Sequence, residues 1–317
     1  MLSRTADHLY WMARYTERAE NLARLLDITH RMSLMPTAAV RGDDAAGWSA
    51  ALAIISMQEA YAAKHGAVEQ ASAMRFLCFD AQNPSSIWSC LRSARENAHA
   101  VRGTLTGEVW ETLNASWIKL RDAGPGVIEN GRAGEFFDWV KFRSHLSRGV
   151  MLGTMLRDEG LWFARLGTFL ERADFTARFL DVKYHQLLPA VDNIAEASDY
   201  YQWSALLRSV SGFEMYRKIY RDLITPWRVS ELLILRDDMP RSLRHCMNEV
   251  CENLEKLRNR SSSETERRAG ELHAMLHYGR MDSIFEQGLH EFLTRFVARI
   301  ADLADRIADD FLIPKLH

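Results

Sequence analysis

Two Glu-Arg pairs set in a repeated run carry the first chemical signal in this chain, Glu17-Arg18 and Glu171-Arg172. A carboxylate can serve as a general base, and a guanidinium can hold a carboxylate or phosphate through two parallel hydrogen bonds. A carboxylate and an arginine from each run could therefore converge on a ligand, with Arg14 on the same polar face. The same residues could instead form reciprocal buried ion pairs, Glu17 with Arg172 and Glu171 with Arg18. Such pairs would fix the register of two antiparallel helices. Catalysis predicts an open pocket in one half of the molecule, holding Glu17, Arg18, Arg92, Arg95 and Glu96. A scaffold predicts that both pairs are buried and mutually bonded.

A second candidate site is the face formed by Arg92, Arg95, Glu96, His99 and Arg102, which recur at three- and four-residue steps. The positions 156 residues further on hold Asn248, Cys251, Glu252, Glu255 and Arg258. Glu96 and Arg102 are matched there, whereas two arginines and a histidine are not. A position that differs between two copies is freer to serve a ligand, which favours Arg92 and Arg95 as anion holders; a solvated charged face is the alternative. Glu96-x-x-His99 also fits the ligand spacing of di-iron bundles. Glu252-x-x-Glu255 breaks that pattern, so neither a metal nor another cofactor is expected. The chain has no nucleophile elbow, phosphate loop or dinucleotide fingerprint.

Helices must position these groups. The run Glu17–Asp27 shares seven of eleven residues with Glu171–Asp181, 154 positions on. Trp48–Tyr61 shares seven of fourteen with Trp203–Tyr216, and Pro84–Asn97 keeps five of its residues in Pro240–Asn253. The spacing predicts helices over 5–31, 48–64, 86–102, 106–121 and 136–155, answered by 161–185, 203–216, 240–253 and 281–311. Thr5 is the expected N-cap of the first helix, and Pro36 with Gly42–Gly47 its expected end. Glu20, Asp27, Asp174 and Asp181 border the apolar stripes and require partners from neighbouring helices. Glu59-x-Tyr61 and Glu214-x-Tyr216 could bond between helices or line a pocket. The expected fold is all-α, a helical bundle of two tandem, internally duplicated halves, 1–157 and 158–317, around a pseudo-twofold axis. No linker-like stretch separates the halves, so one continuous body is expected.

The 317 residues are 47% hydrophobic and 26% charged, enough for a full core. A net charge of −2 gives no electrostatic footprint for nucleic acid. No apolar run approaches the ~18 residues that span a bilayer. Four cysteines without metal spacing, and no secretory pattern at the start, point to reduced thiols in the cytoplasm.

The stretches LYWMARYTERAENLARLLD, NPSSIWSCLRSARENAHAVRGTLTGEVWETLN and GTFLERADFTARFLD resemble the bacterial Alpha-E family, all-helical proteins with a Glu-Arg motif. The resemblance spans essentially the whole chain. It places the motif at Glu17-Arg18 and, in the second run, Glu171-Arg172. It implies an accessory component of circularly permuted ATP-grasp peptide ligases, often found with transglutaminase-like proteins. The ligase would be a separate chain, and a peptide is a further expected partner. An enzyme of the same pathway, with a glutamate as general base and arginines as a carboxylate or phosphate clamp, is the alternative.

Overall fold

The computed structural model describes residues 1–34, 44–187 and 196–313. Every regular element among them is helical. In chain order they are α1 (Ser3–Ser33), α2 (Asp44–Ile54), α3 (Gln58–His65), α4 (Gln70–Phe79), α5 (Ile87–Ala100), α6 (Gly107–Ala123), α7 (Gly126–Glu129) and α8 (Ala133–Thr154). Then follow α9 (Glu159–Leu187), α10 (Glu196–Ser209), α11 (Phe213–Tyr220), α12 (Pro226–Ile234), α13 (Leu243–Leu257), α14 (Ser263–His277), α15 (Met281–Gln287) and α16 (Leu289–Phe311).

α1 and α9 form the centre. α1 packs on α5, α8 and α9, and α9 packs on α1, α13 and α16. α6 closes over α5 and α8, and α14 closes over α13 and α16. One apolar cluster runs from Ala6 to Leu312 through all these layers. The two central helices cross closely at Gly167. A Cβ there would stand 2.3 Å from the Tyr10 carbonyl oxygen, so no larger residue fits without parting the helices. Because α1 is wrapped on most sides, every residue from Ala19 to Thr29 is buried, polar ones included.

Several predicted elements change at their ends. Leu2, not Thr5, is the N-cap of α1, and no side chain caps it; Thr5 lies inside the helix. Pro36 and Gly42 lie outside the described residues, and Gly47 lies within α2. The helix expected over 48–64 is two, because Ser56 adopts φ 55° and the Met57 amide reaches back to the Leu52 carbonyl at 2.9 Å. Ser211 (φ 55°) does the same between α10 and α11, with Gly212 bonded to Leu207 at 2.7 Å. Gly288 (φ 90°) divides 281–311 into α15 and α16. The apolar runs before Asn83 and before Pro240 belong to helices α4 and α12, and α14 was not foreseen.

Other signals act as their chemistry suggests. Ser86 and Ser242 cap α5 and α13, accepting from the amides of Ser89 at 3.1 Å and His245 at 3.0 Å. The buried Tyr61 hydroxyl lies 2.5 Å from Ser72 Oγ and accepts from the Glu69 amide at 3.4 Å. Tyr216 donates to the Leu223 carbonyl at 2.7 Å and accepts from the Thr225 amide at 3.2 Å. Both tyrosines therefore pin the loop that follows their helix, while Glu59 and Glu214 face solvent.

Candidate functional site: a buried arginine–glutamate network

The four motif residues bond reciprocally across the α1–α9 crossing. Arg172 grips Glu17 with Nε on Oε1 at 2.9 Å and Nη2 on Oε2 at 3.0 Å. Arg18 grips Glu171 with Nε on Oε1 at 2.6 Å and Nη2 on Oε2 at 3.0 Å. Both forks are bidentate, the strongest geometry available to this pair.

The next charges along the same helix faces extend the pattern. Arg24 Nη1 donates to Ser211 Oγ at 2.8 Å, and Arg178 Nη1 donates to Ser56 Oγ at 3.2 Å. Each arginine thus clasps the left-handed turn of the opposite segment. Their carboxylate partners sit one turn back, Glu20 at 2.8 Å and Asp174 at 2.9 Å. Asp27 bonds Arg31 at 2.7 Å and Lys141 at 2.8 Å, and Asp181 bonds His290 at 2.7 Å. Neighbouring helices do supply partners, but Arg24, Arg31 and Arg178 on the same helices contribute more than the sequence suggested.

The surroundings of the two pairs diverge. Glu171 receives one further guanidinium, Arg14 Nε at 2.8 Å, and Arg14 in turn donates to the Tyr10 hydroxyl at 3.2 Å. Glu17 receives two more. Arg148 of α8 reaches it at 2.7 Å, and Arg241, just before α13, stands 3.2 Å away. Both also bind Glu20, Arg148 at 2.5 Å and Arg241 in a shorter contact. Arg241 donates to Asn21 Oδ1 at 2.7 Å as well. Two carboxylates, Glu17 and Glu20, therefore face Arg24, Arg148, Arg172 and Arg241.

This charge balance shows in the protonation equilibria. Burial pushes the Glu17 carboxyl up, yet Arg172, Arg148 and Arg241 together hold it below its ordinary value. Burial opposes ionisation of Glu20 too, and Arg241, Arg148 and Arg24 hold it lower still. Glu171 is driven to about 2 by Arg18 and Arg14 against the same burial. Arg241 moves the other way. Burial lowers it to about 10, because Glu20 and Glu17 are shared with other guanidiniums.

The third-helix candidates gather elsewhere. Arg95 Nε donates to Asn114 Oδ1 at 3.2 Å, and its guanidinium lies 5.4 Å from the Trp110 ring centre. Arg102 lies 5.3 Å from the same ring and His99 5.5 Å. Arg92 and Glu96 make a loose exposed pair at 3.9 Å. Glu96 and His99 recruit no metal-binding set, and none with three ligands occurs among the described residues. Arg95, His99 and Arg102 therefore gather around Trp110 on an outer face, with the Arg92–Glu96 pair on the same helix, while Glu17, Glu171 and Arg172 lie in the core and Arg18 at its edge. The single open pocket that catalysis predicts for Glu17 and the α5 residues does not form.

A separate cleft of about 320 Å³ opens between α1 and α16, lined by Asp7, Tyr10, Trp11, Arg14, Asp305 and Ile313 among others. It meets the network at Arg14 and at Tyr10, whose hydroxyl accepts from Arg14. Sequence reasoning did not single out Arg148, His145 or Arg241. Arg241 carried a usable signal, since it stands where Pro84–Asn97 has Ser85. Arg148 had none, being one arginine in a helix matched to 281–311 by chain order alone.

These features define an all-helical protein whose two longest helices are clamped together by reciprocal Glu-Arg forks. A family model described as "a predicted alpha-helical domain with a conserved ER motif" matches residues 1–312, and the chain belongs to that family, Alpha-E. No curated protein and no solved structure matches the chain. Among the described residues, no helix is long and apolar enough to cross a membrane.

Proposed function

We propose that this chain is a non-catalytic helical partner of an ATP-grasp peptide ligase carried on a separate polypeptide, acting in the cytoplasm on peptide synthesis or modification. The observation that carries this reading is the mutual satisfaction of both motif pairs. Glu17 and Glu171 are spent on holding α1 to α9. A carboxylate held below its ordinary value by several guanidiniums is a weak base, which disfavours the same residues as general bases. The setting beside a ligase, with a transglutaminase-like protein or a peptide as a further partner, comes from the family resemblance.

The scaffold itself is best read as two copies, 1–157 and 158–317, related by a pseudo-twofold axis near the α1–α9 crossing. The reciprocal contacts support this: Glu17 with Arg172 against Glu171 with Arg18, and Arg24 with Ser211 against Arg178 with Ser56. Such pairs are what an isologous interface produces. The cytoplasmic setting is supported by four free cysteines; burial pushes the Cys90 and Cys246 thiols up to about 12.

Copurification with a separately expressed ATP-grasp partner tests the proposal. A stable complex at micromolar concentration, with ligase turnover dependent on this chain, is expected. No complex, together with turnover by the isolated chain, would overturn it.

A further inference from the structure

His145 of α8 stands at the outer edge of the network, its side chain half-exposed, between two guanidiniums. Arg148 Nη2 lies 2.8 Å from its Nδ1, and Arg24 Nη2 lies 3.2 Å from its Nε2. A guanidinium only donates, and a neutral imidazole has one acceptor nitrogen. Whichever tautomer is present, one ring N–H points at a guanidinium N–H. The imidazolium would present two such conflicts. The ring therefore occupies a place that asks for two acceptors in a 1,3 arrangement, nitrogen–carbon–nitrogen standing where oxygen–carbon–oxygen would satisfy both donors.

The charge count asks for the same thing. Glu17 and Glu20 are shared among Arg24, Arg148, Arg172 and Arg241, which leaves two positive charges unneutralised. Buried charge without a counter-charge is costly, and an anion at the half-exposed edge marked by His145 removes that cost. Arg24 and Arg241 are buried, and Arg148 is four-fifths buried, so the donors are held in place by packing. Arg24 also directs Nη1 at the hydroxyl of the exposed Ser211, so one guanidinium joins that hydroxyl to the His145 ring.

The geometry points to a carboxylate-binding site in which the ligand carboxylate displaces the His145 imidazole and takes both Nη2 donors, from Arg24 and Arg148. The site is independent of whether the partner is a ligase. Glu20, in contact with both arginines, remains beneath the ligand and keeps the donors oriented; its Oε1 is 3.9 Å from His145 Nε2. Displacement also sets a pH dependence. In place, the imidazole is held below its ordinary value by burial and then by Arg148, Arg24 and Arg241, against the opposing pull of Glu20. Swung into solvent it regains basicity and takes up a proton. Carboxylate binding is therefore tighter as pH falls through the ordinary histidine range.

Titration of the full chain with acetate and succinate, by calorimetry and by melting shift at fixed ionic strength, tests this, with inorganic phosphate and chloride as comparison anions. Saturable carboxylate binding, strengthened at least tenfold in His145→Ala, is expected, since that variant removes the competing ring. In the same variant the pH dependence should vanish. Adding Arg148→Gln to His145→Ala should abolish the binding, with circular dichroism confirming retained helix. Ser211→Ala, which touches neither glutamate, should weaken it a fewfold, with circular dichroism again confirming retained helix. Phosphate binding more tightly than either carboxylate would overturn the carboxylate assignment. No saturable binding in the parent chain or in His145→Ala would overturn the site altogether, as would binding that Ser211→Ala and Arg148→Gln both leave unchanged.

Discussion

The two Glu-Arg pairs make the same bond in different surroundings. Glu171 lies under Arg14 and Arg18, both donated by α1 and both partly open to solvent. Glu17 lies under Arg172, Arg148 and Arg241, donated by α9, α8 and the segment before α13, and is fully enclosed. On the first side the guanidiniums rest on aromatic rings, Arg14 on Tyr10 and Trp11 and Arg18 on Tyr15. On the second, charged groups with no counterpart are added: Arg148, Arg241 and His145. Residues common to both sides hold the helices together. Residues found on one side only create the unbalanced charge, and with it the capacity to hold a ligand.

Glu17→Gln tests this contrast at its largest. It leaves three buried guanidiniums short of a partner, and loss of one partner from a buried pair costs about 3–5 kcal/mol. Glu171→Gln strands two more exposed arginines and should cost less, about 1.5–3 kcal/mol. Equal losses in urea denaturation would remove the distinction between the two sides.

Gly167→Ala addresses the crossing itself. The added methyl meets the Tyr10 carbonyl, and overpacking of this kind costs about 1–3 kcal/mol. An unchanged melting temperature would mean that α1 and α9 are free to separate there.

Acid titration follows the carboxylates. Glu171 has a folded value of about 2 against an ordinary 4.5. A depressed carboxyl contributes stability that is complete above its unfolded value and is lost as pH falls through its folded one. Stability should therefore decline between pH 4.5 and about 2, and Glu171→Gln should flatten that decline. A parent and variant with parallel acid profiles would show that Arg14 and Arg18 do not hold this carboxyl. The smallest effect is expected at Arg95→Ala, about 0.5–1 kcal/mol for one cation–π contact on Trp110. A larger loss would return the α5 face to consideration as a structural centre.

The helical class and the pairing were legible because both rest on short-range spacing. Apolar residues three and four apart in α1 define its stripe, and the recurrence of ERAxxxAR.LD at 171 points to a mutual contact. The breaks at Ser56 and Ser211 were not legible. A serine in a left-handed turn carries no glycine signal, and the clasps from Arg178 and Arg24 come from the other end of the chain. The asymmetry rule chose Arg92 and Arg95, yet the structure puts them on an outer face. The same rule applied to Arg241 at the position of Ser85 would have led into the core.

The sequence by itself determined that this protein is helical, that its Glu-Arg runs answer one another, and that it belongs with Alpha-E proteins. Those properties depend on local periodicity and on repeated residues. Which arginines surround each glutamate was decided only by the tertiary structure. Arg148 and Arg241 lie 131 and 224 residues from Glu17 along the chain, and only the packing of α8 and α13 on α1 and α9 brings their charges to one carboxylate.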